Sequence, residues 1–205
     1  MTIVTSVLAG LAALVAVCLV WRWAAWPCPA WLVPLLENPY FQAVAGAERL
    51  LDRAGVGPGM VVLDAGCGPG RVTLPAAARV GPSGRVVALD VQAGMLARLR
   101  QRLAERGVAN VELLHAGLGE GKLPEGRFDV ALLVTVLGEI PDPDAALREL
   151  LRCLRPGGVL SVTEVLPDPH YQSLARVREL AGRAGFRERS VERGRLAFTI
   201  GLERP

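Results

Sequence analysis

Lysine is nearly absent from this chain: of 23 basic residues in 205 only Lys122 is a lysine, and 20 acids leave a formal charge of +3. There is no dense basic block and no interleaving of basic with aromatic residues, which excludes a dedicated nucleic-acid surface. The four cysteines, Cys18, Cys28, Cys67 and Cys153, are scattered without C-x-x-C spacing. Neither a zinc site nor a disulfide framework is expected, and no metal is called for. Repeats and low-complexity tracts are also missing. The length suits one domain with a sizeable core and a short appendage.

Charge is missing altogether from Thr2 to Trp21, a run rich in Val, Leu and Ala that Arg22 closes. As a helix, about 20 such residues span about 30 Å, the thickness of a bilayer's hydrocarbon core. Trp21, Trp23, Trp26 and Trp31 then cluster as interfacial aromatics do. A cleaved signal peptide and a buried core helix are the alternatives; the first normally has basic residues ahead of its apolar run, and here there are none. Residues 1–26 are therefore expected to be an uncleaved transmembrane anchor, with Arg22 placing the rest of the chain on the cytoplasmic side. Residues 27–58 follow as a proline-rich connector or interfacial segment (Pro27, Pro29, Pro34, Pro39) and a helix from Asn38 to about Ala54. Its apolar positions, Phe41, Val44, Ala45, Ala47, Leu50 and Leu51, suit one face laid on a sheet.

Residues 59–205 are organised around Val61–Gly70, Val-Val-Leu-Asp-Ala-Gly-Cys-Gly-Pro-Gly. Val61 to Leu63 read as a strand buried on both faces and Asp64 ends it. Gly66, Gly68 and Gly70 leave bare backbone where the chain bends, and Arg71 to Arg79 read as a helix. A second apolar strand, Arg85 to Asp90, ends in an acid 26 positions after Asp64. In nucleotide-binding α/β units an acid there bonds ribose hydroxyls. A dinucleotide dehydrogenase would show G-x-G-x-x-G, whereas here the glycines run G-x-G-x-G and Arg71 follows.

On these residues the chain resembles a class I S-adenosylmethionine-dependent methyltransferase, over roughly Leu50 to Phe198. Leu-Asp-Ala-Gly-Cys-Gly-Pro-Gly is close to the family's first motif, Phe128–Leu133 resembles its fourth strand, and Leu154–Leu160 its Leu-Lys-Pro-Gly-Gly turn before the fifth. The resemblance implies an α/β Rossmann-like fold, with a seven-stranded, mostly parallel sheet closed by a C-terminal antiparallel hairpin. It implies S-adenosylmethionine as cofactor and a small-molecule or lipid acceptor. The motifs are similar in style to phospholipid N-methyltransferases and quinone C-methyltransferases alike. Since the cofactor is made in the cytosol, an exported domain would lack it, which favours the anchor over the signal peptide.

The resemblance also implies site residues. Gly66, Cys67, Gly68 and Gly70 would let the backbone approach the cofactor, Asp64 would position its amino-acid end and Asp90 its ribose. Cys67 reads as a small residue rather than a nucleophile. Val91 and Met95 would lie against adenine, although Met95 reads equally well as core. Gly117 and Leu118 follow the third strand, Gly117 standing where many relatives have an adenine-binding Asp, so Glu120 or backbone groups would take over. Thr135 would face the methyl donor. Glu139 would orient the acceptor, accept its proton, or cap the helix near Pro143. The fifth strand reads as Val159 to Val165 and a later helix as Leu174 to Ala184, stopped by Gly185. Glu164, His170 and Tyr171 fall at the C-terminal edge of the sheet, where chemistry is expected; His170 and Tyr171 are candidate catalytic groups, His being the better base near neutral pH. Tyr40, on the helix that closes the pocket, is a candidate too, with packing as its other reading. A non-catalytic nucleoside-binding module and a methyltransferase of a soluble metabolite remain as alternative functions; the oligomeric state is not legible.

Overall fold

The computed structural model describes residues 40 and 44–205. The elements run α1 (Ala47–Ala54), β1 (Val61–Ala65), α2 (Thr73–Val80), β2 (Arg85–Asp90), α3 (Ala93–Glu105), β3 (Val111–His115), β4 (Phe128–Val134), α4 (Pro143–Cys153), β5 (Leu154–Val165), α5 (Leu174–Ala184), β6 (Arg187–Arg193) and β7 (Ala197–Glu203). The seven strands form one sheet in the order β3-β2-β1-β4-β5-β7-β6. β1 to β5 pair in parallel, and β7 lies antiparallel to both β5 and β6. The seven-stranded sheet with its closing hairpin is the architecture expected.

β1, β2 and β4 are largely apolar on both faces because each face is covered. Leu63, Val87, Ala131, Leu133, Leu160 and Val162 share a core with Leu147 and Leu150 of α4 and Val177 and Leu180 of α5. The alternate positions, Val62, Val86, Val130 and Leu132, pack with Leu50 and Leu51 of α1 and Ala76, Ala77 and Val80 of α2. Helix ends follow local chemistry: the Asp142 carboxylate accepts from Ala145 N at 2.9 Å, with Pro143 next in line. Ser173 Oγ accepts from Arg176 N, and Gly185, at φ +100°, stops α5.

Four expectations need correcting. The helix from Asn38 to Ala54 is broken, since Gly46 takes an extended conformation (ψ 136°) between the helical Val44–Ala45 and α1. The helix after the glycine loop starts at Thr73, not Arg71. β5 begins at Leu154 rather than Val159, because pairing with Phe128 draws the Pro-Gly-Gly segment into the ladder. Asp142, not Glu139, caps α4. The anchor and the connector before Tyr40 lie outside the described residues; among these, no helix is long and apolar enough to cross a membrane.

The chain leaves β1 outward through β2 and β3, then returns to add β4 on the other side of β1. A crevice forms beyond the strand ends where that order reverses, and there an open α/β sheet takes its ligand. No helix joins β3 to β4. That loop is moored instead by Glu149 of α4, which is buried. Its two oxygens accept from Gly119 N at 2.5 Å and Leu123 N at 3.0 Å. Charge-assisted bonds of this kind contribute about 1.5 to 3 kcal/mol each. Glu149→Ala is expected to cost about 3 kcal/mol in urea unfolding, and a loss below about 0.5 kcal/mol would show that the loop is held otherwise.

Candidate active site

One wall of the crevice is the loop after β1. The Leu89 carbonyl of β2 accepts from both Gly66 N (2.8 Å) and Cys67 N (3.0 Å), which ties the bend to the neighbouring strand. Gly66 sits at φ +73°, and a Cβ there would come within 2.4 Å of the Val136 side chain. Only glycine fits so close to the segment after β4. Gly68 differs: at φ +53° its missing Cβ would face open space, with nothing within 4 Å. Gly70 packs on Leu99 of α3. The loop is thus pinned at its base and bare at its lip.

Asp90 links this loop to the end of β2. Its Oδ2 accepts from Gly68 N and its Oδ1 from Gln92 N, both at 2.8 Å. Burial pushes its pKa above the usual carboxylate range, and the two N–H bonds offset part of that rise. Next to it Val91 is 53% exposed, the most open large apolar side chain among the described residues. His115, at the end of β3, lies with Nε2 3.0 Å from the Val91 carbonyl.

Bare backbone at Gly68, a carboxylate at the strand end and an open apolar side chain beside it fit a nucleoside with ribose hydroxyls and a flat base. S-adenosylmethionine meets that description.

Asp64 is tied into the fold. It is buried, its Oδ2 accepts from the Thr73 hydroxyl at 2.6 Å, and burial lifts its pKa to about 6. It joins the end of β1 to the start of α2, a structural link. Cys67 is buried as well, and desolvation with the nearby Asp64 and Asp90 pushes its thiol far up, so it stays protonated and inert. Met95 is buried on α3, Gly117 lies under the Glu120 carboxylate, and Leu118 packs at the edge of the core.

Polar groups from β4 and β5 meet at the other wall. Thr135, just past β4, holds φ +55°, rare for a β-branched residue, with its N donating to the Thr163 carbonyl of β5. A single 3₁₀ turn, Leu137–Glu139, follows. The loop after β5 passes so near it that a Cβ on Gly138 would lie 1.9 Å from the His170 carbonyl oxygen. His170 is 4% exposed, its Nδ1 3.9 Å from Glu139 Oε1 and 4.0 Å from Asp168 Oδ1. The Tyr171 ring stands edge-on to Phe198, centroids 6.0 Å apart, and belongs to the core rim. The Tyr40 hydroxyl donates to the Leu166 carbonyl, so the segment before α1 reaches the loop after β5.

Glu139 and His170 are thus brought together, with Tyr40 and Tyr171 at the edges. Sequence reasoning missed Thr73 and Glu149 as organisers. Glu149 had a signal: it is the lone acid among the buried positions of α4, beside Ala146, Leu147 and Leu150.

This fold and this site are similar to those of S-adenosylmethionine-dependent methyltransferases. The family model described as a methyltransferase domain matches residues 62–158. Over 115 residues the chain is 40% identical to the ubiquinone/menaquinone biosynthesis C-methyltransferase UbiE of Hahella chejuensis, covering 56% of this chain and 46% of that one. It is 37% identical over 136 residues to nocamycin O-methyltransferase of Saccharothrix syringae, covering 66% and 48%. The chain therefore spans about half the length of the curated relatives it matches. A solved S-adenosylmethionine-dependent methyltransferase from Aquifex aeolicus superimposes with a TM-score of 0.81 at 26% identity, covering 87% of this chain and all of that one.

Proposed function

We propose that the chain moves a methyl group from S-adenosylmethionine to a small, oxygen-bearing ring acceptor of the quinol type, at a membrane to which residues 1–26 hold it from the cytoplasmic side. The observation that carries the reading is the pair of facing walls: the glycine loop with Asp90 on one, Glu139 and His170 on the other, across the point where strand order reverses. The names of the relatives, a quinone C-methyltransferase and an O-methyltransferase, support an oxygenated ring over a phospholipid amine. The uncharged run before Arg22 supports the membrane placement.

When bound, S-adenosylmethionine supplies a sulfonium-activated methyl group. The protein's work is positioning, worth up to about 7 to 11 kcal/mol of barrier. Gly66 and Gly68 would hold the cofactor against bare backbone and Asp90 its ribose, with Val91 flat against the base. His170, flanked by Glu139 and Asp168, can hold the proton that an acceptor hydroxyl gives up. Glu139 Oε1, 3.9 Å from the imidazole Nδ1, places a carboxylate beside it.

Incubating the 205-residue chain with methyl-labelled cofactor and either a total membrane-lipid extract or a soluble metabolite extract tests this. Label is expected in the quinol fraction of the lipid extract. Label confined to amine headgroups or to the soluble extract would overturn the acceptor assignment, and cofactor binding with no transfer anywhere would make the chain a non-catalytic module.

A further inference from the structure

Among the described residues one buried side-chain oxygen has no hydrogen-bond partner, Oε1 of Glu164. Its residue is 1% exposed. An unsatisfied buried polar atom is costly, and native structures retain few without a use. Glu164 is the next-to-last residue of β5, on the face that α4 and α5 cover, opposite Phe198 of β7. Its other oxygen, Oε2, accepts from Gln172 N at 3.0 Å, and the Gln172 side-chain amide donates to the His170 carbonyl at 2.9 Å. The carboxyl therefore lies directly beneath the loop that carries His170.

We propose that Glu164 is a specificity-determining residue whose Oε1–H donates a hydrogen bond to an oxygen of the acceptor, fixing how a hydroxylated or keto ring sits beside His170. The proposal deepens the methyltransferase reading above and rests on it. Three features support it. Oε2 is taken by a donor, so a proton on this carboxyl belongs on Oε1. Burial, with Asp168 and Glu139 close by, keeps the proton on and pushes the pKa up to about 8. The charged groups that bear on it are those two acids, and Phe198 across the ladder brings no charge. A neutral O–H complements the lone pairs of a phenolate or ring carbonyl. It offers nothing to an ammonium group, which is itself a donor.

The test is binding, so that it does not depend on turnover. Naphthohydroquinone, kept reduced, is titrated by calorimetry into the full chain saturated with S-adenosylhomocysteine, from about pH 6 to 9, for wild type, Glu164→Gln and Glu164→Leu. Glutamine keeps both a donor and an acceptor, so its affinity is expected within about threefold of wild type at pH 6. Leucine is expected to lose about tenfold or more. Above about pH 8 wild type is expected to weaken relative to glutamine, and the ratio of the two affinities cancels the titration of the probe itself. An infrared carboxylic-acid band present at pH 6 and absent from Glu164→Gln would report the proton independently. A constant wild-type to glutamine ratio across pH, no effect of leucine, no binding by wild type, or no such infrared band would each overturn the proposal. Failure of the methyltransferase reading would appear elsewhere, as absence of labelled transfer with the naphthohydroquinone still bound.

Discussion

Gly138→Ala is expected to lower methyl transfer at least about 100-fold while leaving cofactor affinity within about threefold. The added Cβ would sit 1.9 Å from the His170 carbonyl oxygen and 2.7 Å from the Gln172 amide nitrogen. A side-chain tip could swing aside, but a backbone carbonyl cannot. The 3₁₀ turn bearing Glu139 and the loop bearing His170 must part by about 1.5 Å to reach ordinary contact, and a displacement near 1 Å is enough to cost about 100-fold in a positioned reaction. The cofactor wall is built from other strands, β1 and β2, and its hydrogen bonds, to the Leu89 carbonyl and to Asp90, do not pass through this turn. Turnover with labelled cofactor, alongside calorimetry on the same sample, separates the two walls. Turnover near wild type would mean that Glu139 and His170 do not act as a positioned pair.

The second large effect concerns the opposite wall. Asp90→Ala removes the partner of both Gly68 N and Gln92 N and with it the carboxylate offered to ribose. The Gly68 N–H would lose its bond just where the loop must stay rigid. Affinity for S-adenosylmethionine is expected to fall by about 1 to 3 kcal/mol, roughly 5- to 150-fold, with the thermal midpoint little changed because the loop's base is held by the Leu89 carbonyl. Asp90→Asn keeps one acceptor oxygen and is expected to lose less. Equal affinities for all three forms would remove Asp90 from the site.

Much of this was legible where the physics is local. β2 and α5 have the bounds that the sequence implied, Arg85–Asp90 and Leu174–Ala184, because an apolar run ending in an acid and a Ser173-to-Gly185 frame are signals carried by neighbouring residues. The glycine loop and Asp90 were legible for the same reason. What the sequence hid depends on long-range pairing. β5 starts five residues early because Leu154 pairs with Phe128. The tie from Asp64 to Thr73 is set by how α2 docks. Glu164 and His170 follow one another at the end of β5, while their meeting with Glu139 depends on β4 and β5 being neighbours and on Gly138 letting the loop descend. No spacing rule announces that.

The central claim is that the bare loop after β1 and the carboxylate of Asp90 hold a sulfonium nucleoside. Calorimetric titration of the 205-residue chain with S-adenosylmethionine, S-adenosylhomocysteine and NADH tests it most directly. One equivalent each of the first two is predicted to bind, and NADH to give no heat. Silence with S-adenosylmethionine, or saturable binding of NADH in its place, would contradict the account.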